Sequence, residues 1–312
     1  MNPNMPHSQP HLSIAAVERD TGIGKDTLRV WERRYGFPQP LRDEFDERSY
    51  PLSQVEKLRT IKRLLDQGFR PGKVVAMPLE DLQRISMAEL SMPKRVTAQA
   101  DSAIDLHLFL DCLHVHDLTG LRGRLHQAVV DLGVAKFVTD LVAPLSALIG
   151  ETWIRGELEV FEEHLYTECV TTVLRQTIYE QTLTIPAHPP VVLLTTFPQE
   201  QHALGLLMAE CLLALNGCRC IPLGVQMPVA DIAKAAHAHQ VNLVALSFSS
   251  SLNANHVLDG LKELRQLLPA TTGIWAGGGN AVLQRRPPEG VVVVRDLEDI
   301  GPQVQAWRSR QA

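Results

Sequence analysis

From Pro190 to Thr196 the chain reads Pro-Val-Val-Leu-Leu-Thr-Thr, apolar at successive positions rather than at alternate ones. A strand of that character is buried on both faces, as in a parallel sheet covered by helices on each side. Pro198 turns the chain, and from about His202 to Leu215 an apolar helix is expected. One such strand needs further strand–helix units to complete its sheet, and the sequence supplies them. Strands predicted at 190–196, 218–225, 241–248, 272–276 and 290–294 alternate with helices at 202–215, 228–239, 253–268 and 297–308. Residues 188–312 are therefore expected to form a flavodoxin-like α/β domain with a five-stranded parallel sheet in the order 2-1-3-4-5.

Open α/β sheets bind ligands beyond the carboxyl ends of their strands. His202 falls where the first strand gives way to its helix. Glu200 is near enough to hydrogen-bond one ring nitrogen and leave the other for a metal. Gly205, one turn on, removes a side chain where something bulky must approach. Ser247 and Ser249 end the third strand, and Gly277 and Gly278 end the fourth, leaving room for a nucleotide-like tail at the sheet's edge. Taken singly, a loop histidine is more often a solvated surface group and strand-end glycines are common turns. Their value is positional, because these strand ends converge on one cleft with His202 at its mouth.

At 312 residues with 45% hydrophobic content, the chain has material for two or three domains. Neither a secretory signal nor a membrane span is expected, and residues 1–11 read as a disordered tail. The five cysteines are odd in number and scattered, which suits reduced thiols in a cytoplasmic protein. Cys218 and Cys220 are expected to turn their thiols to opposite faces of a strand, so no zinc site is assigned there. Charge is uneven: residues 1–75 carry 13 basic and 10 acidic residues, against 17 and 25 in the remainder. The N-terminal segment is thus the part suited to a polyanion.

Within it, Ser13 can cap a helix beginning at Ile14, Thr21-Gly22-Ile23-Gly24 turns, and Lys25–Tyr35 forms a second helix bearing Arg29, Arg33 and Arg34. Leu28 and Trp31 lie on its apolar side. Helix, short glycine turn and arginine-rich second helix make a helix-turn-helix whose second member can enter a major groove. Leu41 to Tyr50 reads as a hairpin carrying Arg42 and Arg48, and Ser53–Gln67 as a third helix. The bland alternative is a charged surface on an ordinary small helical domain. Residues 78–100 read as a linker with one short helix. Helices at 105–115, 119–132, 133–155 and 158–184 then form a four-helix bundle over 101–185.

The run Thr27-Leu28-Arg29-Val30-Trp31-Glu32-Arg33-Arg34-Tyr35-Gly36-Phe37-Pro38, with Arg42, Arg48 and Tyr50 beyond it, resembles the winged helix-turn-helix of MerR-type transcriptional regulators over residues 12–77. The resemblance implies contacts with double-stranded DNA at Thr27, Arg29, Arg33, Arg42 and Arg48, and a two-fold dimer on DNA. Asp46 stands where that family's wing usually turns on glycine, and Asp tolerates a left-handed conformation better than most residues. Glu200-x-His202-x-x-Gly205 resembles the signature of methionine-synthase-like cobalamin domains, in which the histidine replaces the cofactor's own base on cobalt. Trp153, followed after nine residues by Glu163-His164, matches the bundle motif of light-responsive MerR-type repressors of carotenoid genes (the CarH/LitR group). There these residues flank the upper face of adenosylcobalamin, and the dark state is a tetramer. Those photoreceptors follow the tryptophan with a histidine that captures cobalt after photolysis; here Ile154 occupies the place.

The leading reading is a cobalamin-binding transcription regulator. The alternative is a MerR-type regulator whose effector domain answers to a partner protein or another small molecule. A cobalamin enzyme would need a substrate barrel of about 250 residues, for which the chain has no room.

Overall fold

The computed structural model describes residues 11–43, 45–66, 69–82, 85, 104–250 and 252–311. The chain divides between residues 96 and 97 into two compact units. The first holds β1 (His11–Ser13), α1 (Ile14–Thr21), α2 (Lys25–Tyr35), β2 (Leu41–Arg42), β3 (Arg48–Pro51), α3 (Leu52–Asp66) and α4 (Pro71–Val74). Ser13 caps α1 by accepting from the Ala16 backbone N–H at 3.3 Å, and Gly22 ends it in the left-handed conformation. A side chain at Gly22 would be strained there, which is why the turn between the two helices carries glycine. Val17, Leu28, Trp31, Tyr50, Val55, Leu58 and Ile61 form the core between α1, α2 and α3. Asp46 takes φ 59°, and the Asp43 carboxylate accepts from the backbone of Phe45 and Glu47, so the wing turns on aspartates without a glycine. One expectation fails at the start of the chain. His11 is not tail but the first residue of β1, which pairs antiparallel with β3; the rest of the expected tail lies outside the described residues. The expected linker does so only in part, since residues 79–82 are helical and Leu82 is buried in this unit's core.

The second unit begins with four helices, α5 (His107–His114), α6 (Leu118–Lys136), α7 (Ala143–Arg155) and α8 (Val160–Thr184). The stretch Leu118–Trp153 is long and apolar enough to cross a membrane by length and composition only. It is, however, bent at Gly133 (φ 72°, ψ 159°) and loosened into a π-helical turn over Phe137–Val142. Leu121, Leu125, Phe137, Leu141, Leu145 and Ile149 along it pack into the bundle core.

Then follow β4 (His188–Thr195), α9 (Leu204–Leu215), β5 (Cys218–Gly224), α10 (Val229–Ala238), β6 (Leu243–Ser247), α11 (Ala254–Leu267), β7 (Gly273–Gly277), α12 (Ala281–Arg285), β8 (Val292–Val293) and α13 (Ile300–Ser309). The strands are all parallel, in the spatial order β5-β4-β6-β7-β8, which is the expected 2-1-3-4-5. Strand alternation splits the apolar runs between two cores. Val192, Leu194, Leu243, Ala245 and Trp275 face α9, α13 and the bundle, whereas Leu193, Val244, Leu246, Ile274 and Ala276 face α10, α11 and α12. Bundle and sheet thus share one core across α9, which the Arg175–Glu210 ion pair (2.7 Å) ties to α8. Residues two apart on a strand share a face, so Cys218 and Cys220 both pack toward α9, not to opposite faces. Burial pushes the Cys211 thiol up to about 12 and Cys218 to about 11, leaving both protonated and unreactive.

Candidate cofactor cleft and nucleic-acid interface

β4 ends at Thr195, and the chain crosses to α9 in a loop that the Thr196 hydroxyl closes by donating to the Glu200 carbonyl at 2.8 Å. Glu200 is 1% exposed. Its Oε1 accepts from the His202 backbone N–H (3.0 Å) and from Nδ1 of the His202 ring (2.6 Å). Its Oε2 accepts from the backbone N–H and the hydroxyl of Ser249, both at 2.7 Å. Burial alone would raise the carboxyl's pKa, but these four donors outweigh it and hold Glu200 below the usual carboxylate value. Glu200 is therefore a fixed anion. It sets the tautomer and plane of an imidazole whose side chain is 64% exposed, with Nε2 on the edge away from the carboxylate. His202 lies in the loop before α9 and not in its first turn, as the sequence had suggested.

Three glycines at the site have a steric reason. A Cβ on Gly205 would come within 2.9 Å of the Ser247 hydroxyl. One on Gly277 would approach the Val294 carbonyl at 3.2 Å. Gly278 has φ 103°, and a Cβ there would sit 2.4 Å from the Phe248 carbonyl oxygen. The strand ends can close up only without side chains. Between them and α9 opens a cleft of about 300 Å³. His202, Gly205, Ser247, Ser249, Gly277 and Gly278 all line it, so the six residues expected at the strand ends are brought together. Glu200 stands behind His202.

Sequence reasoning missed the inner wall, made by Met208, Ala209 and Leu213 of α9, Trp275 of β7, and Leu297 and Ile300. Gly205, Ala209 and Leu213 recur every fourth residue, a spacing that marks one edge of a helix and could have pointed to it. The bundle motif is not gathered in. Trp153 is half-buried against the core, Glu163 accepts from the Thr167 hydroxyl at 2.8 Å, His164 is exposed, and none of the three lines the cleft.

Thr27, Arg29, Arg33 and Arg42 are exposed on α2 and the wing. Arg29 pairs with Asp26 at 2.8 Å, and Arg42 donates to the Asp46 carbonyl at 2.6 Å. Arg48 is differently engaged. Its Nε donates to Glu32 of α2 at 2.8 Å in a half-buried ion pair that joins the wing to the second helix.

The MerR HTH family regulatory protein model matches residues 12–77, and the B12 binding domain model matches residues 190–303. The transcriptional repressor CarA of Myxococcus xanthus is 31% identical over 239 residues, 76% of this chain and 76% of that protein. The chain belongs to the MerR-type transcription regulators that carry a B12-binding domain. The repressor CarH of the same organism is 29% identical over 260 residues, covering 83% of this chain and 86% of that one. The fold of the bundle and sheet is that of a monomethylamine corrinoid protein of Methanosarcina barkeri (TM-score 0.51, 12% identity, 64% of this chain and 96% of that one).

The cleft of this MerR-type regulator fits the group its family implies. Among the described residues no cluster of His, Cys, Asp and Glu could enclose a bare metal ion. A single oriented imidazole beside an apolar cleft instead suits a metal whose other positions are filled by its own macrocycle. Ser249 has a part in holding the imidazole, because its two hydrogen bonds fix the Glu200 carboxylate that orients His202.

Proposed function

We propose that this MerR-type regulator binds its operator through Thr27, Arg29, Arg33 and Arg42 and takes adenosylcobalamin as its effector. Arg48, paired with Glu32, sets the angle of the wing and supplies charge near phosphate. Nε2 of His202 would ligate the cobalt, and Glu200 would keep the ring in the tautomer that leaves this nitrogen available. The cleft beside Gly205, with Ser247, Ser249, Gly277 and Gly278 around it, would hold the cofactor's nucleotide tail. Trp153, Glu163 and His164 are assigned the opposite face. Cobalamin supplies there a cobalt–carbon bond that light can cleave. Ile154 offers no nitrogen to cobalt, so a light response in this chain proceeds without an imidazole from that position.

On this reading the protein works in the cytoplasm as a two-fold dimer on DNA, and as a tetramer in the dark. A ligand shifts such an equilibrium only by contacting the two states differently, and an adenosyl group between bundle and sheet meets that requirement. A second reading, an effector domain answering to a partner protein or another small molecule, draws on Ile154 and on the distance of the bundle motif from the cleft lining.

The observation that carries the first reading is the buried Glu200 carboxylate, which Ser249 and the His202 backbone fix through three hydrogen bonds and which accepts the fourth from the exposed His202 imidazole. Band-shift titrations on the gene's own upstream DNA, with and without adenosylcobalamin, test it. Ligand should change the DNA affinity of the parent protein and leave His202→Ala unaffected. Identical DNA affinity with and without ligand, together with an unchanged cobalamin absorption spectrum, would overturn it.

A further inference from the structure

The cleft changes character along its length. Its polar lining side chains, His202, Ser247, Ser249, Arg295 and Asp296, all lie at or beyond the carboxyl ends of strands, at the mouth. The wall continues down α9 from Gly205 to Leu213, about 12 Å at the helical rise per residue. Facing that lower stretch are Ala209, Leu213, Ala245, Trp275, Leu297 and Ile300.

Leu213 is 1% exposed, Ile300 3% and Trp275 4%. The backbones of Ala245 and Trp275 are partners in the parallel ladder, and those of α9 are bonded within the helix. Among the residues lining the inner cleft, Trp275 is the one that carries a side-chain donor, and none carries a carboxylate, amide or hydroxyl to accept a hydrogen bond; the Met208 thioether is only a weak acceptor.

An apolar slot with a donor and no good acceptor discriminates between flat aromatic bases. A dimethylbenzimidazole brings rings, methyl groups and an acceptor nitrogen, all of which the slot accommodates. A purine such as adenine brings an exocyclic amine, whose two N–H donors would be buried without partners. A buried donor left unpaired costs far more than a made hydrogen bond gains.

We propose that the inner cleft, through Leu213, Ala245, Trp275 and Ile300, selects corrinoids by their lower base, taking benzimidazole-type cofactors and rejecting purine-type ones. The inference rests on the reading that His202 takes the cobalt and so frees the base to enter.

The test is calorimetric titration of the purified full chain with three corrinoids in the dark: cobalamin, its adenine-based counterpart, and cobinamide, which has no nucleotide. Cobalamin should bind at least about tenfold more tightly than the adenine-based form, and the adenine-based form should bind no better than cobinamide. Ala245→Ser, which places an acceptor in the slot, should narrow the ratio between the two nucleotide-bearing forms. Equal affinity for those two forms in the parent protein would overturn the inference while leaving cobalt ligation by His202 intact. An unchanged ratio in Ala245→Ser would also overturn the assignment to these residues. Failure of all three corrinoids to bind would instead remove the reading beneath it.

Discussion

Replacing Gly278 by alanine tests how the cleft is held together. Gly278 follows β7 at φ 103°, a conformation that L side chains rarely adopt, and its absent Cβ would lie 2.4 Å from the Phe248 carbonyl oxygen and 2.9 Å from the Phe248 nitrogen. Phe248 cannot retreat cheaply. Its N–H donates to the Gly277 carbonyl at 3.0 Å, and its own carbonyl accepts from Asn280 at 3.2 Å. The Asn280 side chain in turn donates to the carbonyls of Ser249 and Leu252, both at 2.9 Å. Backbone strain at such a site costs roughly 1–3 kcal/mol, and displacing a hydrogen-bonded strand end adds to it, so about 3 kcal/mol in all is expected. For a unit of this size that corresponds to a melting point lower by about 6–12 °C. Gly279→Ala is the control, since its Cβ would meet only the Ser250 nitrogen at 3.7 Å. Thermal unfolding followed by tryptophan fluorescence reads chiefly the second unit, where Trp153, Trp275 and Trp307 lie. Cobalamin affinity should fall alongside stability, because Ser249, the residue after Phe248, donates to Glu200. If Gly278→Ala melts within a degree or two of Gly279→Ala, the steric argument for the glycine is wrong.

Burial raises the pKa of Glu210, and Arg175 only partly opposes it. The carboxyl's contribution to stability is therefore full below its unfolded pKa and lost as pH rises through the higher folded value. Glu210→Gln should match the parent near pH 4 and be at least as stable near pH 7; urea titrations at both pH values check this, and a variant less stable only at pH 7 contradicts it. On the first unit, Arg33→Ala should leave melting unchanged and reduce the salt slope of DNA binding by about one. Arg48→Ala should lower stability by roughly 1 kcal/mol, since it strands Glu32; the opposite pattern in paired melting and salt-titration experiments would exchange their roles. In the dark, adenosylcobalamin-loaded protein should elute as a larger oligomer with higher DNA affinity than after green illumination, and identical elution and affinity in both conditions would remove light from the account.

The sheet was legible because strands covered on both faces announce themselves as apolar runs. Order and parallel pairing followed from the alternation with helices. Local signals also sufficed for Ser13, the Gly22 turn, Asp46 in the wing, and the break at Gly133. What the sequence concealed is non-local or without pattern. His-Leu-Ser at 11–13 is too short to read as a strand, and only its pairing with Arg48–Pro51 reveals it. The fate of Arg48 depends on Glu32, sixteen positions away in the chain. The inner cleft is assembled from α9, the middle of two strands and the start of α13, which no spacing within a single segment connects. The part played by Ser249 depends on Glu200, forty-nine positions away in the chain.

The central claim is that a nitrogen of this protein, and not the cofactor's own base, sits beneath cobalt. Electron paramagnetic resonance of the reduced, cobalt(II) form bound to protein labelled with nitrogen-15 histidine reads it directly, because the coordinating nitrogen splits each cobalt line according to its own nuclear spin. The splitting should change from the nitrogen-14 to the nitrogen-15 pattern on labelling and be lost in His202→Ala. A nitrogen-14 pattern that persists in fully labelled protein would show the cofactor's base still in place, and would contradict the assignment of His202.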